Sequence, residues 1–151
     1  MKISDILSAD AVLHDVKVKS KKQLLSELAK LAAKKTGLDE IAVLDALIER
    51  ERLGTTGIGL GVALPHTRLP KLKKIFCGFL TSEPVDFDAV DNRPVDLAFV
   101  LLVPEAAGAD HLKALARLSR LLRNENTVAA LRKAKSAKEL YGLIIENDKD
   151  E

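Results

Sequence analysis

Val95-Asp96-Leu97-Ala98-Phe99-Val100-Leu101-Leu102-Val103 carries one charged residue, Asp96, in an otherwise apolar run, and Pro104 follows it. Such a run, without the alternation of a half-solvated strand, predicts a β-strand buried on both faces. Proline has no N–H to give to a ladder and ends it. Upstream, Ile75-Phe76-Cys77-Gly78-Phe79-Leu80 predicts a second strand. Further upstream the chain changes character, with Gly54, Gly57, Gly59 and Gly61 ahead of Val62-Ala63-Leu64 and then Pro65-His66. That composition predicts a loop feeding a short strand, with His66 at the strand's exit.

The sequence on either side of these strands has helical spacing. Ser20-Lys21-Lys22-Gln23 reads as a capping box, Leu24, Leu25, Leu28, Leu31 and Ala32 follow on one face, and Gly37 is a stop. A second helix begins near Asp39, with Ile41, Leu44, Leu47 and Ile48 on one face, and closes on Glu49-Arg50-Glu51-Arg52. Arginines suit that end because they complement the negative pole of the helix dipole. Leu112, Leu115, Leu118 and Leu122 mark a helix from Asp110, Val128 to Lys133 a short one, and Ser136-Ala137-Lys138-Glu139 caps a last one through Leu143 and Ile144. The order of helices, strands and helices predicts an α/β fold with helices packed on a small mixed sheet.

A chain of 151 residues fits one domain, residues 1–151. With 47% hydrophobic and 30% charged residues it has a globular composition. No stretch approaches the roughly 20 apolar residues of a membrane span, and Met1-Lys2-Ile3-Ser4-Asp5 lacks a secretory core, so the expected location is the cytoplasm. The formal charge is only +2 and its signs are interspersed, which argues against a nucleic-acid partner. Lys71, Lys73 and Lys74 read as a solvated approach to a strand. Cys77, the single cysteine, lies in an apolar run and reads as a small packing residue.

Chemistry then rests on three histidines, His14, His66 and His111. An imidazole with a pKa near 6.5 is partly neutral and nucleophilic around neutral pH. Pro65 restrains the backbone before His66, and strand ends joined to loops both expose and hold a reactive group. His111, beside Asp110 in the first turn of its helix, reads by itself as an ordinary helix-start residue. A ring kept neutral there by the dipole can also donate to a phosphoryl oxygen. His14 has no supporting neighbours and reads as structural or merely exposed. Gly57-Ile58-Gly59-Leu60-Gly61 is not read as a dinucleotide loop, because it follows a helix and leads to a strand rather than the reverse. The wide separation of His66 and His111 shows no metal-ligand spacing, no serine or cysteine elbow is present, and no cofactor is expected.

The segment Glu51-Arg52-Leu53-Gly54-Thr55-Thr56-Gly57-Ile58-Gly59-Leu60-Gly61-Val62-Ala63-Leu64-Pro65-His66 resembles the phosphorylation-site segment of the fructose/mannitol-type enzyme IIA family of the bacterial phosphoenolpyruvate-dependent phosphotransferase system. The likeness continues through Pro94-Val95-Asp96-Leu97 and Leu101-Leu102-Val103-Pro104 to His111-Leu112 and covers essentially the whole chain. It is closest to the stand-alone, nitrogen-regulatory branch. One departure is Thr67, where many members have a glycine.

The resemblance implies a mixed, about five-stranded sheet flanked by helices, the enzyme IIA type-2 fold. It implies that His66 is the phosphorylated histidine, His111 the second active-site histidine and Arg50 the arginine near the phosphoryl group, with Arg52 two residues along the same run. Thr55 and Thr56 are further candidates to bind the phosphoryl oxygens. No metal is needed in such a transfer. The implied donor is a histidine-phosphocarrier protein. The nitrogen-regulatory branch implies a switch whose phosphorylation state selects partners such as potassium-transport regulators or sensor kinases. Two rivals stand beside it: a sugar-transport enzyme IIA that passes phosphate to a IIB domain, and a binding module without phosphoryl chemistry.

Overall fold

β6 (Val95–Pro104) lies inside the sheet, as its composition requires. The structure is a computed structural model and describes residues 1–149. Ahead of β6 come β1 (Val12–Val16), α1 (Lys21–Thr36), α2 (Glu40–Arg52), β2 (Gly57–Gly59), β3 (Val62–Ala63), β4 (His66–Leu69) and β5 (Phe76–Val85). After it come α3 (Ala109–Arg123), α4 (Glu125–Lys133) and α5 (Ala137–Asn147). The strand order is β1-β5-β6-β3-β2, with β4 also paired to β6. β5 runs antiparallel to β6, while β1 is parallel to β5 and both β3 and β4 are parallel to β6. The expected mixed sheet flanked by helices is therefore present.

Alternate residues of β6 enter two different cores. Leu97, Phe99, Leu101 and Val103 pack with Leu118, Leu122, Leu131 and Ile144 of α3, α4 and α5. Ala98, Val100 and Leu102 pack with Leu24, Leu28, Val43 and Leu47 of α1 and α2. An unbroken apolar run is the sequence of a strand that must satisfy two such layers. The helix caps read from the sequence are present: Ser20, Asp39 and Ser136 each accept a backbone N–H three residues on, and Gly37 closes α1 at φ 79°, while α4 starts three residues before the expected Val128, where Asn124 accepts from the Thr127 N–H. No helix among the described residues is long and apolar enough to cross a membrane.

Three strands depart from the sequence reading. β1 is a half-exposed edge strand without a long apolar run, and it escapes periodicity arguments for that reason. β5 continues past Leu80 to Val85, because Val85 still pairs with Val95 although the intervening residues are polar. The segment read as a glycine loop is a hairpin: Gly57–Gly59 pairs antiparallel with Val62–Ala63. Leu60 and Gly61 between them have φ of 60° and 79°, the signs of a two-residue type I′ turn.

His66 is not at a strand exit but at the start of β4. β3 and β4 occupy one position beside β6, with Val62 opposite Leu97 and His66 opposite Leu101, so the register is kept across Leu64-Pro65. Counted by position the sheet has the expected five strands; counted by segment it has six. β2 covers only the β3 part of this broken strand, and among the described residues no strand of the sheet lies along the outer edge of β4. Thr67 pairs with Leu102 as an ordinary strand residue and is not among the positive-φ positions, so no glycine is needed there.

Candidate functional site

His66 inherits its direction from this register. Its partner Leu101 belongs to the core under α3 to α5, so the half-buried imidazole faces α3. Its Nδ1 lies 2.9 Å from the Leu64 carbonyl oxygen. A carbonyl can only accept, so Nδ1 carries the proton and the lone pair resides on Nε2. Burial holds the ring's pKa below its ordinary value, and the Arg50 charge adds to this. The hydrogen bond to Leu64 and the Glu51 carboxylate push the other way.

His111, the third residue of α3, stands with its ring centroid 5.9 Å from that of His66. The structure thus brings together the two histidines that the sequence reading paired. Gly108, which caps α3, offers no side chain. Arg68 from β4 supplies a partner instead: its Nη2 is 3.3 Å from His111 Nδ1, and its Nη1 donates to the Glu105 carbonyl at 2.8 Å. His111 Nε2 is buried and has no hydrogen-bond partner among the described residues. Burial, then the charges of Arg68 and His66, hold His111 below its ordinary pKa.

Arg50 and Arg52 separate clearly. Arg50 is half-buried, donates to the Gly54 carbonyl at 2.9 Å and acts electrostatically on His66. Arg52 is exposed and pairs with Glu49. Helical spacing turns residues two apart to different faces, which is why only one of the two can address the site.

Glu51 is a residue the sequence reading quoted without a role. It forms an ion pair with Lys21 at 2.9 Å and accepts from the Thr56 backbone N–H at 3.0 Å and from the Thr56 hydroxyl. The Thr55 hydroxyl lies 3.4 Å from the Phe87 carbonyl and accepts from Gly57 N–H at 3.0 Å. Both threonines, expected as candidates for phosphoryl oxygens, have hydroxyls already engaged within the protein. Lys21 also lies 4.7 Å above the Phe87 ring, so one cluster joins α1, α2 and the segment entering β2.

Elsewhere the residues are structural. His14 Nε2 is 2.9 Å from the Ala134 carbonyl, and Cys77 is fully buried in the core, where desolvation pushes its thiol pKa up. Among the described residues no group of three or more His, Cys, Asp or Glu side chains converges as metal ligands would. Two apolar side chains stand out in solvent on segments that carry site residues: Leu53, 85% exposed just past the end of α2, and Leu112, 68% exposed and next to His111 in the chain. The missed residue Arg68 had one sequence signal. It lies two positions after His66, and within a strand such residues share a face.

The chain is similar to known proteins in both sequence and fold. The family described as "Phosphoenolpyruvate-dependent sugar phosphotransferase system, EIIA 2" matches residues 5–147. A nitrogen regulatory protein of Bradyrhizobium diazoefficiens is 52% identical over 145 residues, covering 95% of either chain. A fructose-specific EIIA component of Haloferax volcanii is 42% identical over 109 residues, 72% of this chain and 71% of its own. The crystal structure of nitrogen regulatory protein IIA-Ntr from Neisseria meningitidis superposes with a TM-score of 0.89 at 38% identity, covering 94% of this chain and 98% of its own.

Proposed function

The chain belongs to the EIIA type-2 family of the phosphoenolpyruvate-dependent sugar phosphotransferase system, and from that membership we propose that it is a cytoplasmic phosphohistidine carrier with a regulatory output. The observation that carries the reading is the pairing of a His66 ring whose Nδ1 is occupied by Leu64 with a His111 ring 5.9 Å away whose Nε2 lacks a partner. The donor is a histidine-phosphocarrier protein. The His66 Nε2 lone pair forms the new N–P bond as the N–P bond to the donor's histidine breaks in line, and discharge reverses the step onto an acceptor.

Phosphoryl transfer asks mainly for positioning and charge stabilisation around the equatorial oxygens. In this reading Arg50 and His111 supply both, and Thr55 and Thr56 shape the loop that approaches them. Two neutral rings suit the task, since an imidazolium at His66 has no lone pair to attack with. The transferred group adds about −1.5 to −2 charges at neutral pH. On a surface that also exposes Leu53 and Leu112, that charge makes apolar docking unfavourable, which is how phosphorylation state selects partners such as potassium-transport regulators or sensor kinases. The relative named as a nitrogen regulatory protein, aligned over 95% of either chain, favours this reading. The second reading, a sugar-transport carrier handing phosphate to a IIB domain, is favoured by the fructose-specific relative.

Incubation with phosphoenolpyruvate and the upstream carriers is expected to give an acid-labile, base-stable adduct on His66. His66→Ala should lose it. Arg50→Ala and His111→Ala should stay folded and transfer about 10–100-fold more slowly, the worth of one charge-assisted hydrogen bond. Undiminished labelling of His66→Ala would overturn the assignment. Rapid discharge to a IIB domain, with the same partners retained by both phosphorylation states in a pull-down, would favour sugar transport.

A further inference from the structure

The phosphotransfer reading requires His111 to offer a proton on the nitrogen that meets the phosphoryl group, and an imidazole is free to carry its proton on either nitrogen. We propose that Arg68 is a positioning residue for His111: its guanidinium, anchored on the Glu105 carbonyl, donates to Nδ1 and so keeps the His111 proton on Nε2. This rests on the phosphotransfer reading above and adds to it a residue outside the pair of histidines and Arg50.

A guanidinium has five N–H donors and no acceptor, so an imidazole nitrogen facing it must present a lone pair. Arg68 Nη2 stands 3.3 Å from His111 Nδ1, and the proton of the neutral ring is therefore on Nε2. That nitrogen is buried without a partner among the described residues. An orphaned N–H in the interior is costly and is kept where something arrives to satisfy it. A phosphoryl oxygen on His66, whose ring is the neighbour at 5.9 Å, is such an acceptor.

Arg68 is also placed to do this by the sheet. It lies two residues beyond His66 on the same face of β4, opposite Val103, and its second bond at 2.8 Å holds the chain at Glu105, in the connection that leads from β6 into α3. One side chain thus links the strand that carries the nucleophile to the start of the helix that carries His111. Being exposed, Arg68 keeps its charge at little desolvation cost. That charge also opposes a second proton on His111, since an imidazolium would set an N–H against the guanidinium. The plainer alternative is an exposed arginine that only satisfies the Glu105 carbonyl, and it would leave the tautomer indifferent to substitution.

The test is nitrogen-15 NMR of the histidine rings, which distinguishes protonated from unprotonated nitrogens, together with single-turnover transfer from the phosphorylated carrier. In the parent, His111 is expected to show an unprotonated Nδ1 and a protonated Nε2. Arg68→Met keeps an apolar stem and removes the donor. It should give a mixture of His111 tautomers, leave the His66 tautomer unchanged because Leu64 holds it, and slow transfer about tenfold, as expected for one hydrogen bond lost. Arg68→Lys, which retains a donor and a charge, should recover most of the Nε2–H tautomer and of the rate. An Arg68→Met protein with the parent's His111 tautomer, or with a mixed tautomer and the parent's rate, would overturn the proposal. A parent protein that takes no label at all overturns the phosphotransfer reading instead, while the tautomer measurement still decides whether Arg68 sets the His111 proton.

Discussion

Burial more than any single charge holds the His66 pKa below its ordinary value, and Arg50 reinforces it. An unperturbed imidazole is half protonated near pH 6.5; a lowered value means that the nucleophilic form persists below that pH. The expected outcome of an NMR titration is a His66 midpoint below about 6.5, moved upward in Arg50→Ala because a repelling cation has gone. A midpoint at or above 6.5 in the parent, or a downward move in Arg50→Ala, would contradict this account. Pro65-His66 was legible in the sequence because a lone histidine after a proline, behind a run of glycines, is a local signal. Arg50 was not separable from Arg52 on that basis: both end the same helix, and only the direction of each side chain, set by where α2 lies on the sheet, tells them apart.

Among the elements, the hairpin of β2 and β3 shows how close packing rather than turn chemistry constrains a glycine. A Cβ built on Gly57 would fall 2.8 Å from Ala89 Cβ and 2.9 Å from Ala89 Cα, inside contact distance of backbone that cannot swing aside. Val90 N–H also donates to the Gly57 carbonyl at 3.1 Å, tying the two segments together. Gly57→Ala is expected to destabilise the protein by about 1–3 kcal/mol, the usual result of overpacking. Gly142, exposed in the interior of α5 with nothing within 4 Å of a built Cβ, predicts the opposite sign. Gly142→Ala should stabilise by about 0.5–1 kcal/mol, because alanine loses less backbone freedom in a helix. Chemical denaturation of both variants decides the pair, and a stabilised Gly57→Ala would refute the packing argument. The sequence by itself reads Gly57, Gly59 and Gly61 as a loop, since three glycines in alternation look like flexibility until their pairing partners are known.

For the molecule as a whole, the sheet joins two apolar layers into one folding unit. Phe99 is fully buried on the α3 to α5 side, with its ring centroid 4.5 Å from that of Phe79, while its neighbours Ala98 and Val100 face α1 and α2. Phe99→Ala is expected to cost about 3–5 kcal/mol, a large share of a typical total of about 5–15 kcal/mol. Because β6 belongs to both layers, unfolding should remain one transition: Tyr141 fluorescence, which reports α5, and far-ultraviolet circular dichroism should lose signal together. Two separated transitions would show that the layers are independent. What the sequence determined by itself was the class of fold and the places of the five α-helices, and it singled out His66 as the candidate nucleophile, because apolar period, caps and a proline-histidine pair are written in neighbouring residues. Only the tertiary structure decided that β3 and β4 form one interrupted strand, that His111 stands beside His66, that Arg50 rather than Arg52 reaches the site, and that Arg68 and Glu51 hold their neighbours. Those facts depend on register and on which faces pack together, and residues far apart in the chain carry no local mark of either.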